Sequence, residues 1–117
     1  MLVEDALNLT IEELYEHIGR DTTTKFGGNI GLGETDPQEY QNRGLRWLNK
    51  HRQNLKKAIC NSYIAEIALH KERTRDQALL IAAIADILVS LSLGVSPVVV
   101  AALLVKEGVT QLCLEES

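Results

Sequence analysis

The stretch Ala78-Leu-Leu-Ile-Ala-Ala-Ile-Ala-Asp86-Ile-Leu-Val-Ser-Leu-Ser-Leu93, followed by Gly94-Val-Ser-Pro97 and then Val98-Val-Val-Ala-Ala-Leu-Leu-Val105, decides the fold. Asp86 is its only charge, and one Gly and one Ser-Pro break it. Such a stretch must be covered by the rest of the chain, a second copy, a partner or lipid. The punctuation predicts two helices. Gly94 is placed to end the first, while Ser96 and Pro97 supply the N-cap and first residue of the second. Lys106-Glu107-Gly108 closes the second helix.

Outward from this pair, the composition agrees with a single all-α domain. The chain has 117 residues, 45% hydrophobic and 24% charged, which is globular in character. Aromatic content of only 4% requires an aliphatic core, which suits helix-on-helix packing. Thr10 and Glu13 form a capping box for an acidic helix, with Ile11, Leu14, Tyr15 and Ile18 at helical spacing and Gly19 as its stop. Residues 22–35 read as a Gly-rich loop, with a brief extended piece near residues 23–26. Asp36, Pro37 and Glu39 open a long amphipathic helix that nothing interrupts until about residue 72. Its inward stripe runs through Tyr40, Trp47, Leu48, Leu55, Ala58 and Ile59. The expected organisation is therefore a small bundle of about four helices: an acidic segment 1–21, the loop 22–35, the long helix 36–72, the apolar pair 74–108 and a tail 109–117.

Ser90, Leu93, Gly94, Val95, Ser96, Pro97, Val100 and Leu103 give the stretch a further character. Over about residues 86–108 it resembles the turn of bacterial helix-turn-helix proteins, which have a small residue four positions before a turn glycine and Val and Leu anchoring the second helix. The resemblance implies a DNA-binding regulator whose second helix reads base edges. The chain departs from that family where polar or basic reading residues would stand, since Val98, Val99, Ala101 and Ala102 occupy those positions. Membrane insertion is disfavoured too. A span needs about 20 apolar residues, the first helix offers sixteen, and Asp86 near mid-bilayer would cost about 3 kcal/mol.

Candidate sites follow from these patterns. An all-round apolar second helix makes Val98, Val99, Ala102 and Leu103 the expected interaction surface. Arg43, Arg46, Lys50 and Lys57 form a basic patch within a +5 segment from Pro37 to Lys57, and could contact phosphates. Against this stand the net charge of −4 and the acidic first helix, which make a solvated face the plainer reading. Asp86, a lone carboxylate in an apolar helix, is the candidate buried acid and calls for an Arg partner, a capping role or a place on an exposed edge. Gly28, Gly31 and Gly33 lack the spacing of a nucleotide loop. Glu66 and His70 make only half of a metal site.

No catalytic, cofactor-binding or metal residues are expected, and no cofactor. Cys60 and Cys113 lack CxxC spacing and read as two idle thiols in a reducing compartment. With no basic and apolar leader in the opening residues, that compartment is expected to be the cytoplasm. The expected function is a non-enzymatic protein–protein interaction or regulatory module that self-associates through residues 78–105. The alternatives are a helix-turn-helix-type DNA-binding regulator using the basic face of residues 37–57, and a small membrane-associated effector.

Overall fold

The computed structural model describes residues 2–25, 36–61 and 77–114, and these form a small all-α bundle. Six helices lie among the described residues: α1 (Val3–Leu7), α2 (Ile11–Lys25), α3 (Pro37–Cys60), α4 (Gln77–Val89), α5 (Pro97–Glu107) and α6 (Val109–Leu114). Residues 26–35 of the Gly-rich loop, Glu66 and His70 lie outside the described residues.

Local chemistry sets the helix starts. The Thr10 amide donates to Glu13 Oε1 at 2.9 Å and the Glu13 amide donates back to Thr10 Oγ1 at 3.1 Å, a closed capping box. These bonds hold the Glu13 carboxyl below its usual pKa, the Thr10 backbone amide contributing most. At α3 the Gln38 amide donates to Asp36 Oδ1 at 3.0 Å, with Pro37 in the first turn. At α5 the Val99 amide donates to Ser96 Oγ at 3.4 Å, again beside a first-turn proline. The Ser96 amide donates to Asp21 Oδ2 at 3.2 Å, which ties the end of α2 to the start of α5.

Several boundaries differ from the sequence expectation. A short α1 precedes the capping box and buries Ala6. α2 does not stop at Gly19 but continues through residues 22–25, which had read as loop or extended chain. Gly19 is a contact residue instead. α2 and α3 run antiparallel, with Gly19 against the Tyr40 backbone and Gly44 against the Tyr15 backbone. α3 ends at Cys60, well short of residue 72.

The helix expected to reach Gly94 ends at Val89. There Ser90 Oγ donates to the Ile87 carbonyl at 2.8 Å, and the Ser90, Leu91 and Ser92 amides each bond three residues back. A serine hydroxyl taking a helix carbonyl and a run of short-range bonds unwind the last turn. Ser92 then enters the left-handed region at φ 50° and Gly94 follows at φ 81°. The last segment, expected as a tail, forms the short helix α6 after Gly108 at φ 110°.

The core is aliphatic, as the composition requires. Leu14 and Ile18 of α2, Leu48, Leu55 and Ile59 of α3, and Ile81, Ile84 and Leu88 of α4 share one core with the buried residues of α5. Six consecutive residues of α5, Val99 to Leu104, are buried. A helix apolar on all sides is stable only when enclosed on all sides, and α1, α2, α4 and α6 together enclose α5. The chain itself covers this apolar helix.

Cys60 and Cys113 are not idle thiols. They form a disulfide across 53 residues of sequence, with Cα atoms 5.5 Å apart, fastening α6 to the end of α3. Their half-buried positions bring together two helix ends that only tertiary packing could juxtapose.

Candidate interaction surfaces

The expected contact surface on α5 is not a surface. Val99 is 2% exposed, Ala102 and Leu103 are 0% exposed, and Val98 is half-buried. These four residues pack the interior, and presenting them to another molecule would require unfolding the bundle. The same burial removes α5 as a base-reading helix, because a recognition helix must project its side chains into a groove. The turn before it keeps its helix-turn-helix-like glycine and serine cap, but as a packing corner.

Asp86 is not a buried acid: it is exposed and takes the edge position. Its position explains why a charge is tolerated in an otherwise apolar helix. Leu79, Ala82, Ala83, Asp86, Val89 and Ser90 recur at the three- and four-residue spacing of one helix face. Along that face Leu79 is 65% exposed and Val89 is 61% exposed, with Ala82 and Ala83 half-buried between them. α4 thus turns Ile81, Ile84, Ala85 and Leu88 into the core and presents a second, outward apolar face with Asp86 upon it. The low-contrast sequence of α4 does not by itself set these two faces apart. Phasing the helix on Asp86 as an outward residue separates both.

The basic patch is distributed along α3. Arg43 Nε lies 3.2 Å from Glu39 Oε1, and Arg46 approaches the same oxygen at 3.6 Å. Arg43 also stands over the Tyr40 ring at 5.9 Å, and Arg20 of α2 stands over the same ring at 4.7 Å. The Arg20–Tyr40 contact therefore joins α2 to α3, while Lys50 and Lys57 are exposed and make no ion pair among the described residues. Tyr40 is buried and Trp47 is half-buried against His51, with ring centroids 4.5 Å apart, so neither aromatic belongs to the outward side.

The outward side of α3 has a pattern that counting charges alone does not reveal. Asn42, Leu45, Arg46, Asn49, Lys50, Gln53, Asn54 and Lys57 are all exposed, at alternating three- and one-residue intervals that make one continuous stripe. The stripe holds three cations, four amides and one Leu, and α3 carries no Asp or Glu after Glu39. The amides were legible by their period, since they share the phase of Lys50 and Lys57.

Two concavities accompany these surfaces. A groove of about 370 Å³ between α3 and the α4–α5 turn is lined by Asn54, Lys57, Ala58, Leu91 and Leu93. A smaller one of about 190 Å³ lies where α3, α5 and α6 meet, lined by Arg52, Leu104, Glu107, Gly108, Gln111 and Leu112. Beside the second, Tyr15 Oη donates to Glu107 Oε2 at 2.8 Å. Burial, and then this bond to a carboxylate, push the Tyr15 phenol well above its ordinary pKa. A raised phenol pKa favours the protonated folded state. Its contribution is complete below the unfolded-state value near 10 and is lost as pH rises through the folded value. In an ultraviolet titration Tyr15 is expected to ionise after a freely solvated tyrosine, and Tyr15→Phe to remove that late step. A late step that survives the substitution would refute the assignment.

Among the described residues no three or more His, Cys, Asp or Glu side chains come together as a metal-holding group, and no helix is long and apolar enough to cross a membrane. Comparison of the chain with protein-family models, curated proteins and solved structures gives no match.

Proposed function

We propose that the protein is a non-enzymatic helical interaction and regulatory module that self-associates through the outward face of α4. The observation that carries this reading is the exposure of Leu79 and Val89 at the two ends of one helix face, 65% and 61% respectively, in a region whose other large apolar residues are mostly covered. The region expected to mediate assembly is retained, but the contact moves from α5 to α4. The two side chains stand ten residues apart, about 15 Å along the helix. A two-fold pairing with antiparallel α4 helices sets Leu79 of each copy against Val89 of the other. In that register Asp86 faces Ala82 across the interface, so the two carboxylates do not meet.

Burying each Leu or Val gains about 1.5–3 kcal/mol, against an association cost of several kcal/mol or more. The expected product is a weak dimer in rapid exchange. Light scattering over a concentration series should show mass rising toward that of a dimer. Leu79→Glu with Val89→Glu should hold it at the monomer, and Asp86→Leu should shift the transition to lower concentration. A wild-type protein that stays monomeric across the series would refute the reading. Disulfides persist in oxidising surroundings, and the Cys60–Cys113 link supports such a compartment in place of the cytoplasm expected from cysteine spacing alone.

A further inference from the structure

We infer that the outward stripe of α3 is a docking surface for a nucleic-acid duplex, with Arg46, Lys50 and Lys57 on phosphates and the interleaved amides on the backbone and groove edge. This surface is distinct from the α4 face, and the inference does not depend on self-association.

Charge separation is the first support. α3 carries six Lys/Arg and one Glu, a balance of +5, in a chain whose net charge is −4, so the remaining residues carry −9. A polyanion is repelled by most of such a molecule and attracted to one helix, which selects both the face and the orientation of approach. The second support is the composition of the stripe itself. Between Asn42 and Lys57 every fully exposed position except Leu45 carries a hydrogen-bonding amide or a cation, and none is acidic. Arg, Lys, Asn and Gln are the side chains that contact phosphates and sugars, and Asn and Gln also match adenine edges. A face that served only for solubility would be expected to mix both signs of charge.

Geometry and the choice of polyanion agree. The stripe extends about 22 Å, roughly the length of six base pairs on one strand. A lipid surface is the poorer fit, because an interfacial helix buries an apolar face among acyl chains. The apolar face of α3, with Leu48, Leu55 and Ile59, is committed to the protein core.

The test is fluorescence anisotropy of a labelled mixed-sequence DNA duplex of about two helical turns, titrated with the full-length oxidised protein between about 50 and 200 mM salt. Three phosphate contacts predict a slope of log affinity against log salt of about −2.7. Lys50→Gln and Lys57→Gln should each reduce its magnitude by about 0.9, with helix content by circular dichroism unchanged because both positions are exposed. Two results would overturn the proposal: no duplex binding at the lowest salt, or a slope that both substitutions leave unaltered. Phosphatidylserine vesicles run alongside as competitor should leave the duplex bound. Displacement of the duplex by the vesicles would assign the stripe to a lipid surface and overturn it as well.

Discussion

Reduction of the Cys60–Cys113 disulfide is expected to lower the unfolding free energy by about 4 kcal/mol, a value between those for loops of about 15 and 100 residues. The link closes a sequence separation of 53 residues. That span contains all of α4 and α5, the two helices around which the interior is built. In the unfolded chain the cross-link removes the entropy of bringing residue 60 to residue 113. In the folded chain it holds α6, which has only six residues and is too short to be stable as an isolated helix. Apart from the disulfide, α6 is anchored by buried Val109 and Leu112. Reduction should therefore loosen the α6 contacts as well as weaken the whole fold. For a domain of this size the thermal midpoint should fall by more than about 10 °C. Cys113→Ser and Cys60→Ser should reproduce the reduced protein, with no further loss on adding reductant. A thiol assay on the native protein should find no reactive cysteine, and two after reduction. Coincident melting curves for the oxidised and reduced protein would refute the prediction.

The cysteine link also marks where sequence reading fails and why. Helix starts were legible because a cap is a local device. Thr10 with Glu13, Asp36 with Pro37, and Ser96 with Pro97 all act where their spacing places them. The end of α5 at Gly108 belongs to the same class. Features set by a distant partner were not legible. Gly19 looks identical in sequence whether it stops a helix or admits another backbone, and only the position of Tyr40 distinguishes the two. Cys60 and Cys113 meet because α6 folds back on α3, which no spacing announces.

Asp86 falls between these cases. Its helix is apolar on both faces, so hydrophobic contrast gives no phase, and sequence alone does not decide between a buried acid and an edge residue, although the carboxylate marks the outward side. The apolar character of α5 did predict enclosure, but not that its own chain would supply the cover. On α3 a count of charges finds the cations and misses the Asn and Gln residues in register with them. An amide adds nothing to a charge count, even though it shapes what the face can bind.

Gly44→Ala and Gly19→Ala provide the sharpest test of the fold, because local propensity and tertiary packing predict opposite signs. Glycine inside a helix costs about 1 kcal/mol relative to alanine, so on propensity alone either substitution stabilises. The antiparallel crossing reverses that. A methyl at residue 44 would stand 2.8 Å from the Tyr15 carbonyl carbon and closer still to its oxygen, and one at residue 19 would stand 2.7 Å from the Tyr40 carbonyl carbon. The obstacle in both cases is the backbone of the opposite helix, which has no rotamer to change. The helices must move apart, opening the interface that buries Leu14, Ile18 and Leu48.

Overpacking of this kind costs at least the 1–3 kcal/mol seen for ordinary core enlargements, and a backbone clash places each substitution near or above about 3 kcal/mol. The expected observation is a lower denaturation midpoint in urea for each variant, with a near-native helix signal before the transition. The two contacts are reciprocal, since Gly19 and Tyr15 lie one turn apart on α2, as do Tyr40 and Gly44 on α3. Separation forced by the first methyl makes room for the second, so the double variant should lose clearly less than the sum of the singles. Strict additivity would mean that the two glycines do not share one crossing, and a stabilised single variant would show that the helices do not approach this closely.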